Sequence, residues 1–323
     1  MPTPLAVVVL AAGEGRRMKS TLPKVLHEAA GRPLLEHILR AVAPLAPQKV
    51  VVVVGFAGEA VRERFRDAEL DFVTQDFGSG YGTGHALVQA EAALQGFSGN
   101  VLVLNGDGPL LKSETLQRLA CMQQDAAGMA LVTCAFSDPS GLGRIKRGAD
   151  GRLEAVVEEK DASPAERAIR EVNAGVYLFD SSVFEKARHL SNDNASGEYY
   201  ITDLPAIYLA AGEPVRTLRI EDETEVLGIY DRVQLAVAER VLQERLRARW
   251  LAAGVSMVQP ETTFIDDTVQ LARDVVLEPG VILKGATTVG EGARVGAYAY
   301  LQDAVVAPEA VVPPHSVQLG RDG

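Results

Sequence analysis

The residues best placed to do chemistry lie in one stretch near the N-terminus. Leu10-Ala11-Ala12-Gly13-Glu14-Gly15-Arg16-Arg17-Met18 follows an apolar run, and Pro23-Lys24 comes a few residues later. Small residues let backbone N–H groups approach a phosphate or a base closely, and arginines supply charge. Arg16, Arg17, Lys19, Lys24 and Arg32 form a local basic cluster in a chain of net charge −11. On an acidic protein such a cluster suits a polyphosphate. Met18 stands where Gly-x-Gly-x-x-Gly needs its third glycine, which disfavours a dinucleotide site. The stretch is not Gly-x-x-x-x-Gly-Lys-Ser/Thr either, so a P-loop is excluded. Taken alone, it also reads as a tight strand-to-loop turn with incidental arginines. Other chemistry is sparse. His27, His37, His189 and His315 are scattered, His85 reads as a helix-terminus histidine, and Cys121 and Cys134 lack metal-type spacing.

Something must hold that loop. Leu5–Leu10, Val50–Gly55, Leu70–Thr74, Val101–Leu104 and Met129–Cys134 read as strands, apolar on both faces. Between them Pro33–Ala43, Glu59–Arg66, Thr83–Leu94 and Ser113–Gln124 read as helices. The alternation predicts βαβ units, a parallel sheet covered on both faces, and a doubly wound α/β fold. From about residue 141 to 230 the pattern loosens into hairpin-like strands (Arg144–Lys146, Leu153–Glu158, Gly175–Phe179), expected as an added layer over the open sheet edge. Residues 231–253 read as one long connecting helix closed by Gly254. Beyond it Ile265, Leu271, Leu277, Leu283, Val289, Val295 and Leu301 recur every six residues, and Val306 and Val312 continue after a slip of one. That period is the hexapeptide signature of a parallel β-helix, with about three coils of ~18 residues each. The expected domains are 1–230, a helix over 231–254, and a short solenoid over 260–323.

Composition narrows the class. The chain has 323 residues, 47% hydrophobic and 23% charged, which excludes a disordered or collagen-like protein. Its apolar runs fall short of the ~20 residues that span a bilayer. Leu5–Ala12 lacks a basic leader, so it reads as a buried strand and not a signal peptide. Net acidity argues against general nucleic-acid binding. A cytoplasmic protein working on small molecules, without membrane, is expected.

Leu10–Met18 with Pro23-Lys24-Val25-Leu26-His27 resembles the signature loop of the sugar-1-phosphate nucleotidyltransferases. Further motifs follow in the expected order: Gly82-Thr83-Gly84-His85-Ala86, Gly106-Asp107, Gly143-Arg144-Ile145, Val157-Glu158-Glu159-Lys160-Asp161-Ala162, Glu171-Val172-Asn173-Ala174-Gly175 and Gly197-Glu198-Tyr199-Tyr200-Ile201-Thr202-Asp203. With the β-helix, they resemble the bacterial bifunctional N-acetylglucosamine-1-phosphate uridyltransferase/glucosamine-1-phosphate acetyltransferase family, from Leu5 to about Leu301. The resemblance implies a Rossmann-like domain followed by a left-handed β-helix. It implies transfer of UMP from UTP to N-acetylglucosamine-1-phosphate. Arg17 and Lys24 would stabilise the triphosphate and the leaving group. Leu10, Ala11, Ala12, Gly13, Gln75, Gly82 and Thr83 would bind the nucleotide, and Gly143, Glu158 and Asn173 the sugar. Asp107 would hold Mg²⁺, although Asn105-Gly106-Asp107-Gly108-Pro109 is also an excellent turn. Glu158 also reads as one more surface carboxylate beside Glu159.

Four departures from the family pattern stand out. Tyr230-Asp231-Arg232 occupies the place of an Asn-Asn-Arg run whose first Asn is the family's second metal ligand. A phenol is a poor Mg²⁺ ligand, so Asp231 or a water is expected there, with weaker metal affinity. Asp76-Phe77-Gly78-Ser79-Gly80-Tyr81 makes the loop before Gly82 two residues longer than usual, and the resemblance places that loop by the base pocket, where it bears on nucleotide selectivity. Asn105 and Gly108 replace a Tyr and an aliphatic near the sugar, and Arg16 replaces a Thr. The family's acetyl-transfer residues have no counterparts in this stretch of β-helix, so no acetyltransferase activity is expected. Short β-helices can form homotrimers along their flat faces, though three coils offer little area for it. Two alternatives remain: another hexose-1-phosphate/NTP pair, or a weakly active nucleotide-sugar-binding scaffold.

Overall fold

A computed structural model describes residues 3–123 and 127–320. The last residue of the expected helix Ser113–Gln124 and the last three of the expected solenoid lie outside them. The chain falls into two compact units, one of Met1–Leu26 with Leu34–Asp231, the other of His27–Pro33 with Arg232 onward.

The first unit is built on nine strands: β1 (Leu5–Ala11), β2 (Lys49–Val54), β3 (Asp71–Thr74), β4 (Asn100–Asn105), β5 (Met129–Ala135), β6 (Arg144–Arg147), β7 (Leu153–Val157), β8 (Glu171–Phe179) and β9 (Val215–Ile220). Their order is β9-β5-β8-β4-β1-β2-β3, with β6 paired to both β8 and β7. The pairs of β1 with β2 and β4, and of β2 with β3, are parallel. Along β1, Val7 and Val9 enter one core while Ala6 and Val8 enter the other. Burial on both faces is what a run of Val and Leu without polar alternation produces. The helices α1 (Leu34–Val42), α2 (Gly58–Arg64), α3 (Thr83–Gln89) and α4 (Ser113–Cys121) follow the expected alternation. α3 ends at Gln89, short of the expected Leu94, and a separate turn covers Ala92–Leu94.

The expected layering of residues 141–230 needs correction. Gly175–Phe179 is no outer layer. It belongs to β8, which inserts between β4 and β5 and runs antiparallel to both. An antiparallel return needs no crossover helix, so the chain comes straight back beside β5 after the small β6–β7 arm. β8 also carries an irregularity between Asn173 and Tyr177, where Gly175 takes a left-handed φ of 69°. Bulges of this kind re-aim side chains beside active sites.

In the second unit, helix α5 (Arg232–Ala252) leads into very short strands stacked as three parallel sheets. Leu271 pairs with Val289, Leu277 with Val295 and Leu283 with Leu301, each one coil further along the chain. The six-residue aliphatics all point into one core, which gives the left-handed parallel β-helix expected. The slip falls in the coil between Val289 and Val306, which pair in register although that coil is one residue short. The buried Gln243 amide of α5 donates to the Ile265 carbonyl and accepts from the Ile265 N–H, both at 2.9 Å. No described helix is long and apolar enough to cross a membrane.

Candidate active site

The carboxyl ends of β1, β3 and β4 converge on one cavity of about 410 Å³. Ligands of open α/β sheets bind at such strand ends. β1 delivers Leu10 and Ala11, and the loop after it adds Ala12, Gly13 and Arg17. Gly15 allows that loop its turn: its φ is 64°, and a Cβ there would lie 2.8 Å from Lys24 Cβ. β3 ends at Thr74, and Gln75, whose N–H donates to the Val54 carbonyl at 2.8 Å, is buried in the cavity wall. The Gln75 amide nitrogen lies 3.3 Å from the Gly82 carbonyl and 3.2 Å from His85 Nδ1. Gly82, with φ 108°, and Thr83 complete that side.

At the end of β4 the Gly106 N–H donates to the Leu10 carbonyl, which places Asp107 beside the β1 loop. Lys24 donates to the Asp107 carboxylate in an ion pair whose partners are both mostly shielded from water. The Ile229 N–H donates to the Asp107 carbonyl at 2.9 Å and so brings in Tyr230. The Arg17 guanidinium lies 4.8 Å above the Tyr230 ring, a cation–π contact. Burial pushes the Tyr230 phenol above its ordinary pKa, the Asp107 charge adds to that, and Arg17 opposes it. The phenol is therefore neutral near pH 7.

Arg17 and Lys24 thus join the cavity, while the other three members of the basic cluster, Arg16, Lys19 and Arg32, do not. Arg16 pairs with Glu14 at 2.5 Å on the exposed rim of an adjoining cleft. Arg32 pairs with Asp267 at 2.6 Å inside the second unit. The expected sugar residues lie together outside the cavity wall. The Asn173 N–H donates to the Gly143 carbonyl at 2.9 Å, and a Cβ on Gly143 would lie 3.4 Å from Glu158 Oε1. Thr202 Oγ1 donates to that same oxygen at 2.8 Å. Burial raises the Glu158 pKa, and the Thr202 hydrogen bond partly offsets the rise. Asn173 donates to the Tyr177 hydroxyl and accepts from the Gly175 N–H. A Cβ on Gly175 would lie 2.3 Å from Asn105 Nδ2, and Asn105 lines the cavity, which links the two groups. Asp231 does not line the cavity; Tyr230 does.

Phe77, Tyr81 and Glu198 also line it, although the family resemblance places only the 76–81 loop as a whole by the base pocket and singles out none of the three. The extra length of the 76–81 loop was the available signal for the two aromatics. Among the described residues no three His, Cys, Asp or Glu side chains gather as a metal set. Mg²⁺ held on nucleotide phosphates needs only one or two protein carboxylates. Asp107 supplies one, so the donor set fits a metal that arrives with the nucleotide.

Residues 7–204 match the MobA-like NTP transferase domain. The fold and this site define a sugar-1-phosphate nucleotidyltransferase. The chain is 48% identical over 315 residues to the bifunctional protein GlmU of Thermus thermophilus, covering 98% of this chain and 69% of that protein. It is 41% identical over 313 residues to the bifunctional protein GlmU of Streptococcus suis, with 96% and 67% covered. The chain belongs to the bifunctional GlmU family. The expected absence of acetyl transfer finds no support in these relatives, which are named as bifunctional.

Proposed function

We propose that the chain transfers UMP from UTP to N-acetylglucosamine-1-phosphate and releases pyrophosphate. The observation that carries this reading is the convergence of Arg17, Lys24 and Asp107 with the small-residue loop 10–13 in one cavity. The sugar-phosphate oxygen attacks the α-phosphorus, the bond to the bridging oxygen breaks, and pyrophosphate leaves with the electron pair. Charge builds on non-bridging and leaving oxygens, so preplaced cations lower the barrier. Arg17, seated on the Tyr230 ring, and Lys24 are those cations. Ala11, Ala12 and Gly13 leave room for backbone N–H groups to approach the nucleotide, and Gln75 and Gly82 offer polar atoms to the base edge. Glu158, Asn173 and Gly143 would take the sugar hydroxyls and N-acetyl group. Mg²⁺, held by Asp107, would neutralise phosphate charge.

The test is pyrophosphate release with Mg²⁺ across four NTPs, each paired with N-acetylglucosamine-1-phosphate or glucose-1-phosphate. Release confined to UTP with N-acetylglucosamine-1-phosphate is expected. Release with another pair keeps the reaction and reassigns the substrates to Asn105 and the 76–81 loop. Saturable UDP-sugar binding without release in any pair would replace the enzyme reading with a binding scaffold.

A further inference from the structure

Two aromatic rings on the 76–81 loop have no role in the chemistry above. Phe77 and Tyr81 are 45% and 49% exposed, and their ring centroids lie 5.7 Å apart with planes tilted by 38°. Both line the nucleotide cavity and the adjoining cleft that Arg16 and Arg17 also line. The Phe77 ring lies against the backbone at Gly55, where a Cβ would come within 2.7 Å of Phe77 Cζ.

The loop that carries them is held at several points. The Asp76 carboxylate accepts from the Gly78 N–H at 2.9 Å, and Ser79 Oγ lies 3.2 Å from His85 Nε2. The Tyr81 carbonyl accepts from the Tyr199 N–H at 2.8 Å. The rings are therefore placed before any ligand arrives, which reduces the ordering cost of binding. The other apolar side chains of the same cavity, Leu10, Ala11, Ala12, Val25 and Ala86, are aliphatic and offer no flat ring face.

We propose that Tyr81 and Phe77 form a stacking wall for the nucleobase of the triphosphate, so that base affinity rests on ring contact as well as on the Gln75 amide. This rests on the nucleotidyltransferase reading. Stacking acts on the base and leaves the phosphates alone, so the two ends of the nucleotide can be measured separately.

The experiment titrates the full chain calorimetrically with UTP and with inorganic tripolyphosphate. The proteins compared are the wild type and its Tyr81→Ala, Phe77→Ala and Tyr81→Phe variants. The alanine variants are expected to weaken UTP binding about tenfold and to leave tripolyphosphate within about twofold, while Tyr81→Phe stays near the wild type. Unchanged UTP affinity in both alanine variants overturns the stacking wall. So does an equal loss for UTP and tripolyphosphate, which marks collapse of the loop, or a Tyr81→Phe loss as large as that of Tyr81→Ala. A wild-type chain that binds no UTP and releases no pyrophosphate overturns the nucleotidyltransferase reading itself.

Discussion

At the residue scale, two side chains separate catalysis from recognition. Lys24 faces the Asp107 carboxylate and lines the cavity at the strand ends. Lys24→Ala should lower kcat by roughly 10²-fold, the scale of losing one preplaced charge donor, and should also lower the melting temperature, because the shielded Asp107 carboxylate loses its partner. Pyrophosphate release and a thermal melt check both halves. Glu158 gives the opposite balance. Its pKa in the fold is raised, chiefly by burial, so the folded chain holds that proton more tightly than the unfolded one. The associated stability is complete below the ordinary glutamate pKa and is lost as pH rises through the raised value. Above that raised value the ionised carboxylate is therefore a net cost. Glu158→Gln should melt higher than the wild type at pH 7, with the difference shrinking on acidification, while KM for the sugar phosphate rises several-fold. Melts at two pH values and steady-state kinetics test this.

At the scale of elements, the reversed strand β8 carries Asn173 and Gly175 into the group proposed to take the sugar. Gly175 sits in its bulge with φ 69° and against Asn105. Gly175→Ala should cost about 1–2 kcal/mol from the left-handed backbone alone, and it should raise KM for the sugar phosphate by displacing Asn105. Chemical denaturation and kinetics read the two effects. The parallel strands β1 to β5 and the hexapeptide coils were legible because runs of buried Val and Leu, and a fixed six-residue period, record burial directly. The direction of β8 was not, since Val-Tyr-Leu-Phe reads alike in either orientation. β9, Val215–Ile220, was missed because Arg216 and Arg219 break its apolar run at a sheet edge. The loop 10–24 and Asp107 were legible as motifs and Gln75 by its place at a strand end, whereas Phe77 and Tyr81 were legible only as part of a longer loop beside the base pocket.

At the scale of the whole molecule, the second unit takes in His27–Pro33 as well as the chain from Arg232. That short segment hydrogen-bonds through the Ala30 N–H to Glu239 at 2.6 Å, and the Ala30 carbonyl accepts from the Asp267 N–H at 2.8 Å. Arg32 pairs with Asp267 as well. A fragment ending at Asp231 would keep the segment and lose those partners. It should melt lower than the full chain and turn over more slowly, as circular dichroism and pyrophosphate release would show. The same seven residues begin three positions after Lys24. A chimera that exchanges the C-terminal half between relatives must therefore carry a matched 27–33 graft with it. Such a swap edits the sequence next to Lys24, the lysine proposed to act on the triphosphate, so the two halves of the sequence are not independent cassettes.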